Sequence, residues 1–332
     1  MDSGKRSLLG TRTPNELDAE EFQFEVAEQD GALRLDRLIA DKLPQLSRRK
    51  AAQMLEAGVI LVDQKPARKS QLSTPGSLIT ILDLSWGAAL ADPELELDII
   101  FQNNDFVAVN KPAGLPSAAL VGKSQGNCAS ALLAQFPEMR DVGFGPQEPG
   151  LIHRLDTETS GILLAAKNQQ TFHTLRQLFS DARAKKTYLA WSDRRLPGTR
   201  GRIALTLEAR GRGPVRPNAG KHAHITSYRA VTPALTGTLD EREGPDQIRS
   251  LHLIEATVYQ AFRHQVRAHL AHLGAPLLGD LLYGGTPWPQ NQEREHPRHA
   301  LHAHEVIFES SPWGPLHLKA ELPQELQLLL SS

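Results

Sequence analysis

The stretch Gly150–Asn168, GLIHRLDTETSGILLAAKN, has the clearest structural pattern in this chain of 332 residues. An imidazole, a guanidinium and a carboxylate lie within the four residues His153–Asp156. The turn-forming residues Thr157–Gly161 follow, and then the apolar run Ile162–Ala166. A polar loop that leads into an apolar run predicts a turn followed by a buried strand. We therefore expect Asp156 to be held rigidly near the start of that strand, either as a reactive group or as a turn carboxylate that caps backbone N–H groups.

The composition predicts an ordinary soluble protein with two domains. With 40% hydrophobic and 23% charged residues, the chain can form one large core and a smaller one. The formal charge of -1 argues against a uniformly basic nucleic-acid binder, so any contact with RNA must be a local patch. A single cysteine, Cys128, excludes an internal disulfide and fits a reducing cytoplasm. No secretory signal and no apolar run long enough for a membrane helix is present, so we expect a cytoplasmic protein without a membrane partner.

The chain begins with residues 1–21, which are polar and predict a disordered tail. A small domain is expected over residues 22–83, with a strand FQFEV, a helix LRLDRLIADKLP, a second helix RRKAAQMLEAG and the strands VILVDQKP and GSLITIL. Ser47 is a suitable N-cap for the second helix, and Gly58 is placed to end it. An interdomain linker is expected over residues 84–97 and a second domain over residues 98–330.

The small domain carries a local excess of positive charge. Between Arg34 and Lys69 there are nine Lys/Arg and four Asp/Glu residues. Arg48, Arg49 and Lys50 open the second helix, where a positive charge gains nothing from the helix dipole. The cluster is therefore either a solvated helix face or a surface that binds phosphates.

Strands and helices alternate irregularly in the larger domain. Strand patterns occur in IIFQNNDFVAVNKPAG, AKKTYLAWS and ALHAHEVIF, and residues 128–136 and 168–180 suit helices. Residues 197–222 predict a hairpin with a basic tip, and 232–246 show no periodicity. Val266, Leu270 and Leu273 fall on one face of a further helix.

The chain contains no complete phosphate-binding loop, no GxSxG and no HExxH. Several histidines suggest a metal site, namely His264, His269, His272, His299, His302 and His304. They lack carboxylate or cysteine co-ligands at known spacing, and alternate residues of a strand share one face in any case. We therefore expect neither a metal nor a site for ATP or GTP.

Four runs in this sequence resemble the motifs of one known family. HRLDTETSG, followed by an apolar strand and Lys167, resembles the signature of the RluA family of RNA pseudouridine synthases. NKPAG with Lys111, AKKTYLAWS with Tyr188, and RHQVRAHLAHLGAPLLGDLLYG with Arg267 resemble further motifs of that family. LDRLIADKLPQLSRRKAAQMLEAGVILVDQKP is similar to an S-four type RNA-binding domain, which commonly precedes the catalytic domain in members that modify ribosomal RNA.

The resemblance implies an α+β fold, in which a catalytic domain with a mixed, largely antiparallel sheet and flanking helices follows a small α/β RNA-binding domain. It also implies that Asp156 is catalytic, that Arg267 pairs with it, and that Tyr188 lies against the target base. A guanidinium suits this role because it stays charged and binds carboxylates bidentately. The expected substrate-binding residues are His153, Arg154, Lys111, His264 and Gln265, together with Arg48, Arg49 and Lys50.

The implied reaction converts uridine in RNA to its carbon-linked isomer. This isomerisation requires neither redox chemistry nor group transfer, so the resemblance implies that no cofactor is needed. We expect RNA as the partner, with ribosomal RNA favoured by the N-terminal domain, and a monomeric protein.

One departure from the family motif leaves alternatives open. Members of the family usually carry Gly-Arg before the residue that precedes HQ, and this chain has Ala261-Phe262 there. The missing arginine is consistent with an RNA-binding or ribosome-assembly factor that has lost its chemistry. A cofactor-free hydrolase that uses Asp156 is a third hypothesis, although the sequence offers it no second well-placed acid.

Overall fold

The computed structural model describes residues 21–44, 46–83, 86–120, 123–209, 213–218, 222–238, 248–288 and 298–330. For residues 218, 232–238 and 248–250 the backbone alone is described. The tail predicted over residues 1–21 lies outside the described residues, except for Glu21. The chain divides into two compact units, the first ending at Trp86 and the second beginning at Gly87.

The first unit packs two helices on one face of a four-stranded antiparallel sheet, ordered β1-β4-β2-β3. Its elements are β1 (Phe22–Glu25), α1 (Leu35–Lys42), α2 (Arg48–Glu56), β2 (Ile60–Val62), β3 (Lys65–Pro66) and β4 (Leu78–Ile81). The predicted helix signals are confirmed, since the Ser47 hydroxyl accepts a hydrogen bond from the Lys50 N–H and Gly58 adopts φ 73° after α2. Leu38 and Met54 of the helices are buried against Ile79 of the sheet.

The second unit is built on a mixed, largely antiparallel sheet, as predicted. Its strands are β5 (Asp98–Gln102), β6 (Phe106–Lys111), β7 (Ser160–Ala166), β8 (Ala184–Ser192), β9 (Arg200–Ala209), β10 (Val215–Asn218), β11 (His224–Thr238), β12 (Ile248–Val258), β13 (Leu301–Phe308) and β14 (Leu316–Lys319). The order is β10-β9-β11-β12-β8-β13-β7-β6-β5, and β14 adds to β13. Of the pairings between these strands, β7 with β13 is parallel and the others are antiparallel.

The helices of this unit are α3 (Cys128–Gln135), α4 (Gln169–Ser180), α5 (Gln265–His272) and α6 (Gln324–Gln327). The helices predicted over 128–136 and 168–180 are therefore confirmed. Asn127 and Asn168 cap α3 and α4 through their side-chain oxygens, which accept from backbone N–H groups three residues on. Among the described residues, no helix is both long and apolar enough to cross a bilayer.

Residues 232–238 differ from the sequence expectation, because β11 continues to Thr238 and pairs with β12. The register shifts between Val231 and Leu235, around Pro233. Proline has no N–H group and is tolerated at such an irregularity. These residues therefore pair with β12 although their sequence shows no strand periodicity. The hairpin predicted over 197–222 is formed by β9 and β10, while its tip at 210–212 lies outside the described residues.

Candidate active site

The turn that carries Asp156 is fixed on both sides. All seven residues of β7 are buried, as the apolar run predicted. The Leu155 N–H donates to the Ser117 hydroxyl over 3.1 Å, and that hydroxyl donates back to the Leu155 carbonyl over 2.9 Å. On the other side, the Thr157 carbonyl accepts from the Gly114 N–H and from the Lys111 ammonium, each at 2.9 Å. The backbone at Asp156 is therefore held by a loop more than 35 positions away in sequence.

Arg267 binds two carboxylates at once. Its Nη1 donates to Asp156 Oδ2 over 2.7 Å, while Nε and Nη2 donate to the two oxygens of Asp280 over 2.7 and 2.8 Å. The side chains of Arg267 and Asp280 are 8% and 1% exposed, whereas that of Asp156 is 25% exposed. Burial works to lower the pKa of Arg267, but the bonds to Asp280 and the charge of Asp156 outweigh it and raise the pKa above its ordinary value. The guanidinium is thus a permanent cation beside Asp156.

His264 approaches the same carboxylate from the start of α5. Its backbone is left-handed, with φ 55°, which is uncommon for a residue other than glycine. The Nε2 atom lies 3.7 Å from Asp156 Oδ1, and Nδ1 lies 3.1 Å from the Tyr283 hydroxyl. Burial is the main cause that lowers the pKa of His264, although the charge of Asp156 opposes it. A strained backbone that aims a ring at a carboxylate is typical of a functional site.

Tyr188 lies in β8, paired with Ala256 of β12 and Ala303 of β13. Its side chain is buried in the cluster that also contains Leu155 and Val266. Burial and, secondarily, the charge of Asp156 raise the pKa of Tyr188 above its ordinary value. The phenol is therefore neutral at physiological pH and close enough to Asp156 to sense its charge.

Two predicted substrate-binding residues are fully engaged inside the fold. Lys111 is fully buried, and its ammonium donates to the carbonyls of Pro112, Leu115 and Thr157 at 2.9, 2.7 and 2.9 Å. Lys111 is therefore not an ordinary surface lysine. Gln265 is also buried, and its amide donates to the Ile225 carbonyl and the Thr226 hydroxyl. Both side chains support the framework around Asp156.

The first two residues of the HRLD run, His153 and Arg154, have different surroundings. His153 accepts from the Leu164 N–H at 3.2 Å and stacks on Phe179 at 5.1 Å, and burial lowers its pKa to about 3. It is a neutral ring that ties the loop to β7. Arg154, in contrast, is 68% exposed, with Nη1 3.7 Å from Glu148 Oε2, and is accessible to a ligand.

The three basic residues at the start of α2 also differ in exposure and in their partners. Arg48 is 57% exposed, and its Nε donates to Asp36 Oδ2 at 3.0 Å, while Arg34 donates to the other oxygen at 2.9 Å. Arg49 is exposed. Lys50 is buried, with its ammonium bonded to the Trp86 carbonyl and 4.7 Å from the Trp86 ring centroid. Its predicted contact with phosphate is therefore replaced by packing inside the unit.

Sequence reasoning missed Asp280 and Tyr283, which complete the arrangement around Arg267. Tyr283 accepts from the Val215 N–H at 2.7 Å, and its ring centroid lies 5.3 Å from Arg267 Cζ. A usable signal existed for Asp280, since an acidic residue within the apolar run LLGDLLYG needs a charged partner if it is buried. For Tyr283 we find no such signal.

Three of the six histidines that suggested a metal lie next to hydroxyl groups. His269 Nδ1 lies 2.8 Å from the Thr226 hydroxyl, His299 Nε2 lies 2.7 Å from that of Thr159, and His302 Nδ1 lies 2.8 Å from that of Ser160. The Thr159–His299 pair connects the turn after Asp156 to the segment that leads into β13, and the Ser160–His302 pair connects β7 to β13. The hydroxyl groups account for these histidines as structural hydrogen-bonding residues.

The segment Ala261-Phe262 departs from the family motif and packs against the β9–β10 hairpin. The Phe262 ring lies 4.5 Å from that of His224 and contacts the buried cluster of Leu207 and Val215. The neighbouring Arg263 donates to the Gly213 carbonyl at 2.6 Å. The substitution thus leaves the bond between Asp156 and Arg267 intact.

Comparison with known proteins identifies the family of this chain. The family described as RNA pseudouridylate synthase matches residues 105–272, which include Asp156, Tyr188 and Arg267. The chain belongs to this family. The enzyme is therefore an isomerase that acts on uridine in RNA, and the S4 domain, an RNA-binding module, matches its residues 33–79.

The similarity to known relatives extends over nearly the whole length of this pseudouridine synthase. An uncharacterized RNA pseudouridine synthase of Chloroflexus aurantiacus is 31% identical over 95% of this chain and 94% of its own length. The ribosomal large subunit pseudouridine synthase D of Yersinia pestis is 27% identical over 92% and 93%. The solved structure of human RNA pseudouridylate synthase domain containing 1, at 20% identity, covers 70% of this chain and 87% of its own with a TM-score of 0.52, which supports the fold.

Proposed function

We propose that this pseudouridine synthase modifies ribosomal RNA and that Asp156 is its catalytic carboxylate. The observation that supports this role is the unequal exposure of the linked charges. Arg267 and Asp280 are almost completely buried, while the Asp156 carboxylate is 25% exposed at the end of the same network. A substrate can therefore reach Asp156, and its geometry is set by groups that the substrate does not touch.

The chemistry needs an ionised carboxylate next to the sugar of an everted uridine. The bond between base and sugar breaks with its electron pair on the uracil, which turns and forms a new bond from carbon five to the same sugar carbon. The proton on carbon five is then released. Asp156 can attack the sugar carbon or remove a proton from the sugar ring, and its hydrogen bond from Arg267 orients it for either route. Eversion costs a few kcal/mol, which contacts in the pocket and with phosphates repay.

We assign Tyr188 to the uracil ring as a stacking partner. Because burial and the charge of Asp156 raise its pKa, the phenol remains protonated at neutral pH. It therefore offers an aromatic face and a neutral hydroxyl group, and it does not act as a phenolate base. Arg154 is exposed two residues before Asp156 and is our candidate for a backbone phosphate contact.

The first unit supplies a second RNA contact in this proposal. Asp36 is buried and holds Arg34 and Arg48, so that both guanidinium groups are oriented while their side chains stay about half exposed. Together with Arg49 they form a basic face that fits RNA phosphates. Relatives named for the large ribosomal subunit support ribosomal RNA as the substrate. Action in the cytoplasm as a monomer remains our prediction.

The decisive experiment follows tritium release from RNA labelled at carbon five of uridine. The substrate is total RNA from cells that lack the gene, and the proteins are wild type, Asp156→Asn and the surface control Asp181→Asn. We expect release with wild type and the control, and none with Asp156→Asn, which should still bind the RNA. Turnover by Asp156→Asn within tenfold of wild type would contradict the catalytic role.

The choice of RNA is tested separately. Pseudouridine mapping in ribosomal and transfer RNA, from cells with and without the gene, should show a uridine in ribosomal RNA that depends on the protein. A dependent site found in transfer RNA alone would overturn the ribosomal assignment. Failure of the wild-type protein to modify any RNA would favour the alternative of a binding or assembly factor.

A further inference from the structure

A groove of about 310 Å³ lies between β10 and α5, next to the candidate active site. Its walls are largely apolar and include Val215, Ala268, Ala271 and Leu282. Arg216 and His272 also line it, and no acidic residue does so within the described part of the chain. The volume is at the lower end of the range for small-ligand sites, about 300 Å³ and above, and the positive charge of Arg216 suits an anionic polymer.

Tyr283 connects this groove to the clamp on Asp156. On the groove side its hydroxyl accepts from the Val215 N–H at 2.7 Å. The same hydroxyl lies 3.1 Å from His264 Nδ1, and His264 Nε2 lies 3.7 Å from Asp156 Oδ1. One tyrosine and one imidazole therefore separate the groove from the carboxylate.

The groove wall at Leu282 is both exposed and rigidly anchored. Leu282 is 45% exposed, although large apolar side chains are normally withdrawn from solvent where they can be. The residues around it are fixed, because Asp280 makes two hydrogen bonds to Arg267 and Tyr283 packs against the same guanidinium. An apolar side chain held in this way can contact a ligand without a large ordering cost.

We propose that the β10–α5 groove binds the nucleobase of a nucleotide that flanks the target uridine. This inference rests on the proposed function, since the flanking nucleotide belongs to the RNA whose uridine reaches Asp156. Nucleobases have flat apolar faces that pack on side chains such as Leu282 and Ala271, and RNA proteins commonly splay single-stranded bases into such sites. The groove would therefore contribute to the choice of the sequence around the uridine.

The test uses a synthetic RNA of roughly 20 nucleotides that contains the mapped uridine, so that a base on each side can be replaced. KM and kcat are measured by tritium release for wild type, Leu282→Ala and Ala271→Phe, which shorten and fill the groove respectively. We expect KM to rise about fivefold or more in both variants, because apolar contact with the base is lost, with kcat within about twofold. An abasic nucleotide on one side of the uridine should raise the KM of wild type similarly and have no further effect in Ala271→Phe.

Two controls match these changes outside the groove. Leu281 is the adjacent leucine, 51% exposed, and does not line the groove, so Leu281→Ala should leave KM unchanged. Ala204→Phe adds a ring at an exposed position of β9 and should do the same. Melting temperatures of all variants report on folding.

Several results would overturn the proposal. Equal KM values for Leu282→Ala and Leu281→Ala would do so even if Ala271→Phe failed to fold, because Leu282 is exposed and its truncation spares the core. Equal sensitivity of wild type and Ala271→Phe to the abasic nucleotide would also do so. Absence of turnover by wild type on both this RNA and total RNA from cells that lack the gene would instead refute the proposed function itself.

Discussion

Asp280 holds Arg267 through two hydrogen bonds, from Nε over 2.7 Å and from Nη2 over 2.8 Å. The remaining terminal nitrogen donates to Asp156 over 2.7 Å. One guanidinium therefore joins a buried carboxylate to an accessible one. Because Asp280 fixes the orientation of Arg267, the guanidinium is already in place beside Asp156 before a substrate binds.

Asp280→Asn should weaken both stability and catalysis. The amide keeps the shape of the carboxylate but removes the charge that compensates the buried guanidinium. We expect the free energy of unfolding to fall by about 2–4 kcal/mol. We also expect kcat to fall about tenfold or more, since a change of about 1.4 kcal/mol at the transition state gives that factor. Chemical denaturation and tritium release measure the two effects.

Glu255→Gln is a matched control for Asp280→Asn. It breaks the pair between Glu255 and Arg229, which has the same 2.7 Å distance but side chains that are 31% and 61% exposed. The expected loss of stability is under about 1 kcal/mol, with unchanged kcat. Similar losses in both variants would show that burial of the Asp280 pair has no special importance.

His264→Asn should lower kcat and change its pH dependence. Asparagine tolerates a positive φ, so the variant removes the ring while keeping the left-handed start of α5. Because burial lowers the pKa of His264, the ring is neutral at pH 7, and its protonation on acidification places a new cation beside Asp156 and Arg267. At neutral pH we expect kcat to be about tenfold lower, because Asp156 loses a neighbour that orients it. In acid we expect kcat to decline less than in wild type. His317→Asn, at an exposed site in β14, is the control, and an unchanged acid decline in His264→Asn would exclude this titration.

Some parts of the site could be predicted from sequence because their causes are local. The apolar run before Lys167 predicts a strand, and the polar cluster before it predicts the turn that carries Asp156. The caps at Ser47 and Gly58 act within a few residues of the helix they delimit. The α+β fold class and the meeting of Asp156 with Arg267 required the resemblance to a family, since 111 residues separate the two.

Other parts depend on contacts that no local pattern shows. Lys111 is buried because three carbonyls from two separate loops converge on its ammonium, and Lys50 is buried because the Trp86 carbonyl and ring lie over α2. Lysine is usually exposed, so the sequence favoured a surface role for both residues. Asp280 and Tyr283 become recognisable as partners of Arg267 once the turn after α5 is folded.

Lys111→Met should make the stability less dependent on pH in the alkaline range. Burial lowers the pKa of Lys111 from 10.5 to about 8 in the folded protein. Between these values the unfolded chain binds more protons than the folded one, so the free energy of unfolding of wild type should rise with pH. Burial also lowers the pKa of Lys186 to about 8, so this residue should likewise make the free energy of unfolding rise with pH. The variant should therefore show a shallower rise between about pH 8 and 9, and Lys186→Met a similar one.

Urea denaturation at a series of pH values measures this dependence. At pH 7, Lys111→Met should also lose about 2–4 kcal/mol, because three buried carbonyls lose their donor. Wild type and Lys111→Met with the same slope would show that the ammonium keeps its ordinary affinity for protons in the fold.

Gly161→Ala should displace the strand that follows Asp156. Gly161 has φ 112°, and a Cβ atom there would lie 2.2 Å from the Ala303 carbonyl oxygen in the parallel pairing of β7 with β13.

Gly314 is the matched control, with φ 84° and no heavy atom within 4 Å of a Cβ. Backbone strain alone should cost Gly314→Ala about 1–2 kcal/mol, whereas Gly161→Ala adds a clash with backbone and should cost more than about 3 kcal/mol. Since each kcal/mol shifts the melting temperature by roughly 2–4 °C in a domain of this size, calorimetry separates the two. Equal melting temperatures of the two variants would mean that β13 moves away from residue 161 without cost, and they would contradict this prediction.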